Sequence, residues 1–83
     1  MARYRLTVNV DLKPGVLDPQ GQAVAGVLRS MGFSVGDVRV GRRVTLDVDA
    51  DSPEQAQGLA RDMAARLLAN PVLEDFVVEE DPT

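Results

Sequence analysis

The chain has 83 residues, 45% of them hydrophobic and 27% charged, a single-domain length and a globular composition that exclude a disordered chain. It has neither cysteine nor histidine, which excludes disulfides, thiol chemistry and every Ser-His-Asp or Cys-His catalytic arrangement. The net charge is −4, with eight arginines and a lone lysine among the basic residues, a poor match to a nucleic-acid backbone.

The opening stretch "RYRLTVNVDL" alternates. Tyr4, Leu6, Val8, Val10 and Leu12 share one face, and Arg3, Arg5, Thr7, Asn9 and Asp11 the other, which predicts a strand with one buried side. Such a start does not read as a secretory leader, and no apolar run approaches the roughly 20 residues of a membrane span. A cytoplasmic protein with neither membrane nor nucleic acid as partner is therefore expected.

"LKPGVLDPQGQAV" then breaks the strand. Pro14-Gly15 suits a type II turn, in which proline fixes φ and glycine takes the positive φ. Asp18 is a helix N-cap and Pro19 fits the first helical position. Val24, Val27, Leu28 and Met31 follow at helical spacing, and Gly32 is a left-handed stop with Phe33 folding back toward Leu28. Gly21 and Gly26, costly inside a helix, point to close packing on the sheet or to a partner's backbone.

"FSVGDVRVGRRVTLDVDA" holds two apolar alternations that change phase at Gly36-Asp37, with Gly41-Arg42 between them. This predicts a second and third strand joined by a hairpin, or one long bent strand. In "SPEQ", Ser52 caps, Pro53 takes the first position and Gln55 completes a capping box. Ala56, Leu59, Ala60, Met63 and Leu67 form the expected buried stripe, and "ANP" ends the helix. "EDFVVEE" predicts a last strand with Phe76 and Val78 inward.

The order β-α-β-β-α-β implies an α+β two-layer sandwich, an antiparallel sheet with both helices on one face, as in ferredoxin-like folds. One domain spans residues 1–83. In that topology Arg3 and Arg5 fall near Glu79 and Glu80, and Tyr4, Phe33 and Phe76 belong to the core. Exposed aromatics for base stacking are then lacking.

No catalytic set emerges. Asp47, Asp49 and Asp51 alternate along a strand and its exit without a calcium-loop pattern around them, and read as a solvated edge. "VGRRV" is not a phosphate-binding loop, and Asp18 at the helix N-terminus repels an anion. The residues by themselves describe an interaction domain, or alternatively a small-molecule-binding regulatory module of ferredoxin-like topology.

Three blocks, "LKPGVLDPQGQAV", "VGDVRVGRRVTLDV" and "ARLLANPVLEDFVVE", resemble in order and spacing the PurS family, the small subunit of phosphoribosylformylglycinamidine synthase in purine biosynthesis. The family's Gly-Lys before the third strand is Gly41-Arg42 here, with the charge retained. The resemblance implies a non-catalytic subunit that dimerises and bridges a glutaminase subunit and a large synthetase subunit. In that complex ammonia from glutamine converts formylglycinamide ribonucleotide to formylglycinamidine ribonucleotide. ATP, Mg²⁺ and glutamine would be used by the partner subunits, and neither cofactor nor metal is implied for this chain. The contact residues implied are Lys13, Gln20 and Gln22, with Pro14, Gly15, Asp18 and Pro19 shaping the stretch and Gly21 allowing close approach. Arg39, Arg42, Asn70, Glu74 and Asp75 complete the set.

Overall fold

The computed structural model describes residues 1–80. Strand β1 (Ala2–Leu12) is followed by helix α1 (Pro19–Ser30), strand β2 (Arg42–Ala50), helix α2 (Pro53–Met63), a π-helical turn at Ala64–Leu68 and strand β3 (Glu74–Glu80). The sheet is antiparallel with order β2-β1-β3, so β1 is central. The α+β class, the antiparallel sheet and the two helices are as expected from the sequence.

The central strand carries the core because its apolar set alternates. Leu6, Val8 and Val10 are fully buried and stand opposite Leu46, Val44 and Arg42 of β2, and opposite Glu80, Val78 and Phe76 of β3. Ala56, Ala60 and Ala64 press onto this face without any exposure. Alanine at every fourth position lets the helix axis approach the sheet closely.

The helix starts follow their cap chemistry. The Ser52 hydroxyl accepts from Gln55 N–H at 3.1 Å, while the Gln55 side chain accepts from Asp51 N–H. The Asp18 carboxylate accepts from Gly21 N–H at 2.8 Å. At the other end of α1, Gly32 has φ +95° and Phe33 N–H bonds Leu28 carbonyl at 3.0 Å, closing a Schellman turn.

Four expectations are corrected. Residues 33–41 are not a strand, and the element order is β-α-β-α-β. Among the described residues, 34–40 make no backbone-to-backbone hydrogen bond; they lie beside α1 instead. The helix α1 is also not layered on the sheet: neither core cluster contains any of its residues, and Phe33 at its end is 56% exposed. Arg3 and Arg5 bind Asp49 (2.9 Å) and Asp47 (3.0 Å) across the β1–β2 ladder, while Leu6 and Thr7 stand opposite Glu80 and Glu79. Finally, Leu67, Leu59 and Met63 are exposed and belong to neither core cluster, whereas Ala64 and Leu68 turn inward. For Leu67 the cause is the π-helical turn: more residues per turn carry position 67 off the face that an α-helix would have given it.

The outlying helix gives an elongated molecule. Its radius of gyration is 16.1 Å, against about 12 Å for a compact chain of this length, and it extends 52 × 29 × 14 Å.

Candidate functional site

The end of the sheet where β1 stops and β3 starts gathers residues far apart in sequence. Lys13 leaves β1 and donates its N–H to the Leu73 carbonyl at 2.9 Å; its ammonium lies 3.8 Å from Asp75. At the start of β2, Arg42 reaches across to Glu74 with two bonds of 2.9 Å and donates to the Leu68 carbonyl at 2.9 Å. Glu74 also accepts from Asn70 N–H at 2.7 Å, and the Asn70 side chain accepts from Val72 N–H. A fork-to-fork arginine–carboxylate pair fixes orientation as well as distance, so this corner is rigid. Glu74 is held below the usual carboxylate range, first by Arg42 and then by Asn70 N–H, and Arg42 is correspondingly raised.

The turn after Lys13 closes through Val16 N–H to Lys13 carbonyl at 3.1 Å, with Gly15 at φ +85°, the residue a type II turn requires. Pro14 and Gly15 are exposed at its tip. Arg39 donates to Val16 carbonyl (3.0 Å) and Lys13 carbonyl (3.3 Å), binding the turn to the 33–41 segment. Asp18 is the central tie. One oxygen caps α1 and the other accepts from Val40 N–H at 2.8 Å, so a single buried carboxylate holds both helix and segment. These N–H donors, Val40 foremost, hold its carboxyl below the ordinary value. Gly21 faces the Val38 carbonyl so closely that no Cβ fits. The close approach expected of Gly21 is thus made, but to the chain's own segment; beside Gly26 there is open space.

Between these groups lies an open cleft of about 420 Å³, lined by Leu12, Asp18, Pro19, Gln20, Val40, Gly41, Arg42 and Glu74. Gly15, Gln22 and Arg39 line a depression on the far side of Asp18. The structure thus brings Lys13, Arg42, Asn70, Glu74 and Asp75 together at one corner, and Asp18, Pro19 and Gln20 beside them. Gln22 and Arg39 line the second depression instead, with Arg39 tied to the Lys13 carbonyl. What the sequence reading missed is apolar: Leu17, Leu67, Val72, Leu73 and Val77 are exposed on or next to the same segments. The pattern "PVL" directly after a helix stop was the available signal.

The carboxylates of Asp18 and Glu74 are occupied by internal donors, and no group of three or more acidic residues that could hold a metal occurs among the described residues. Asp47 and Asp49 are taken by Arg5 and Arg3, which lower both carboxyls. No helix among the described residues is long and apolar enough to cross a membrane.

An acid limb in stability follows. Asp18, Asp47, Asp49 and Glu74 are all depressed in the folded state. Their contribution is therefore complete above the unfolded carboxylate value near about 4 and is lost as pH falls through the lower folded values. Thermal melts between pH 7 and pH 2 should show a flat plateau and then a steep fall. Asp18→Asn should lower the plateau and flatten the fall, because an amide offers a single acceptor oxygen where two N–H groups need one each. An unchanged acid limb in that variant would contradict the role given to Asp18.

A family model described as PurS, phosphoribosylformylglycinamidine (FGAM) synthase, matches residues 5–81. The PurS subunit of that synthase from Bacillus subtilis (strain 168) is 43% identical over 77 residues, covering 92% of this chain and 90% of its own. Thermus thermophilus PurS, in its P21 crystal form, superimposes with a TM-score of 0.82 at 43% identity, over 98% of this chain and 100% of the other. A chain of PurLQS from Thermotoga maritima superimposes with a TM-score of 0.90 at 32% identity, over 98% and 100%. With the corner and the turn inside the matched residues, the chain belongs to the PurS family.

Proposed function

We propose that the chain is the small, non-catalytic subunit of phosphoribosylformylglycinamidine synthase, acting in purine biosynthesis as a docking piece of the ligase complex. The observation that carries this is its likeness, over 98% of its length, to a chain of a PurLQS assembly. The internally satisfied corner agrees with it: a surface that spends its charges on its own shape presents a fixed relief to a partner and no acid, base or nucleophile to a substrate. In this reading the partners are a glutaminase subunit and a large synthetase subunit. ATP, Mg²⁺ and glutamine are consumed by those subunits in converting formylglycinamide ribonucleotide to formylglycinamidine ribonucleotide in the cytoplasm. The chain itself acts as a homo-oligomer. Lys13, Pro14, Gly15, Gln20 and Gln22 supply contacts, with Arg39, Arg42, Asn70, Glu74 and Asp75 behind them.

The test is reconstitution with the two partner subunits. Glutamine-dependent product formation should collapse when this chain is left out, while the ammonia-dependent rate of the synthetase subunit persists. A chain that neither joins the complex in light scattering nor alters the glutamine-dependent rate would overturn the reading. Lys13→Glu places a second negative charge beside Asp75 on this surface. It should raise the concentration of the chain needed for half-maximal activity about tenfold, with an unchanged circular dichroism spectrum.

A further inference from the structure

Strand β3 lies at one side of the sheet, and its pairing with β1 decides which of its backbone groups have partners. The register runs without interruption from Leu12 opposite Glu74 to Leu6 opposite Glu80. One step further along the same register, Lys13 N–H bonds the Leu73 carbonyl at 2.9 Å. Bonded and unbonded pairs alternate in an antiparallel ladder. Asp75, Val77 and Glu79 therefore bond back to Asp11, Asn9 and Thr7, while the N–H and carbonyl groups of Phe76 and Val78 point off the sheet. Glu74 obeys the same alternation, its N–H turning away from β1 to the Asn70 carbonyl at 2.7 Å. The order β2-β1-β3 supplies no strand beyond β3 among the described residues.

This edge lacks the usual guards against pairing. Residues 74–80 contain no proline, and their register has no bulge. The strand is also held in shape, because Glu74 at its start is clamped to Arg42 by two bonds of 2.9 Å. A strand already formed adds little ordering cost to binding.

The side chains state what would fit beside it. Phe76 and Val78 turn inward against Val8, Val10, Ala64 and Ala69. On the opposite face Val77 is 58% exposed between exposed Asp75 and Glu79. Among the described residues Glu79 and Glu80 enter no ion pair. A second copy of β3 is a poor occupant: paired antiparallel about Val77, it would set Asp75 against Glu79 and Glu74 against Glu80, and like charges directly opposite destabilise a sheet. A segment alternating basic and apolar residues meets acid with base on the outer face and leaves apolar side chains beside Phe76 and Val78.

We propose that the open edge of β3 takes an extended, arginine- or lysine-rich segment of another protein as a fourth strand, bonded to the backbone of Phe76 and Val78 with its basic side chains beside Asp75 and Glu79. Backbone bonds supply the affinity in such strand addition and the alternate side chains the specificity. The proposal stands apart from the ligase assignment: it concerns this edge alone, and its test uses neither of the other subunits.

The experiment titrates the full chain into a fluorescent seven-residue peptide that alternates arginine and valine, with blocked ends. Saturable binding is expected, and its absence up to about 1 mM peptide overturns the proposal. In the proposed register the valine N–H groups face Phe76 and Val78. Methylating the valine nitrogens should therefore weaken binding at least about tenfold, whereas methylating the inner arginine nitrogens should change it by less than about threefold. Binding indifferent to valine methylation would be charge attraction alone and would overturn the strand addition. The double variant Glu79→Arg, Glu80→Arg, at two exposed positions, should lose at least about tenfold in affinity with its circular dichroism unchanged. Undiminished binding there would also refute it. Hydrogen exchange supplies the last readout. The amides of Phe76 and Val78 should exchange freely in the chain alone and slow when the peptide is added. Protection in the chain alone would put a second copy on this edge and overturn the proposal.

Discussion

Leu6→Ala is expected to destabilise the fold by about 2–5 kcal/mol, the range for emptying a closed leucine site. Leu6 is 1% exposed on the central strand, faces Leu46 and is enclosed with Val48, Ala50, Ala56 and Ala60. These neighbours are a rigid strand and alanines pressed against the sheet, so they have little side chain with which to fill the void. For a domain of this size each kcal/mol corresponds to about 4–8 °C in Tm, so the melting temperature should fall by at least about 8 °C. Leu67→Ala, at a position 83% exposed, should leave it within about 2 °C. Parallel melts of the two variants check the pair, and equal losses would refute the placement of the core.

Gly21→Val should be the second largest loss. A side chain there overlaps the Val38 carbonyl, a backbone atom that cannot rotate aside, and it also crowds the Asp18 carboxylate. The 33–41 segment must lift from α1, releasing the Val40–Asp18 bond. Overpacking of this kind costs about 1–3 kcal/mol. Gly26→Ala, on the same helix in open space, should instead stabilise by about 0.4–1 kcal/mol through the unfolded chain. Chemical denaturation of both variants gives the comparison, and a Gly21→Val protein as stable as Gly26→Ala would show that the segment is not held on the helix.

Much of this architecture is readable from local chemistry. Asp18-Pro19 and Ser52-Pro53 start helices because a side-chain acceptor and a missing N–H answer needs that arise in those few residues alone. Gly15 and Gly32 take positive φ for equally local reasons. The destination of residues 33–40 is not local. An alternating apolar stretch looks the same whether it joins a sheet or lies along a helix, and the choice depends on a contact between Gly21 and Val38 that spacing does not encode. The partners of Arg3 and Arg5 failed for a related reason: both outer strands carry carboxylates, and only the register decides which are in reach. Leu67 failed because a single wide turn shifts every later position. In the candidate site the residue types were legible, whereas the meeting of Lys13 with Asp75 and of Arg42 with Glu74 depends on the order β2-β1-β3 that brings the three strand ends together.

That strand order also bears on how the chain comes off the ribosome. The central strand is made before either of its neighbours, and the second neighbour ends at residue 80. Until those last residues emerge, β1 has at most one partner, and its other edge stays open to any strand in the vicinity. The Arg42–Glu74 pair cannot form earlier, because its halves lie 32 positions apart on the two outer strands. Completion of the sheet thus waits for β3, and a nascent chain halted before residue 74 has β1 paired along one edge alone.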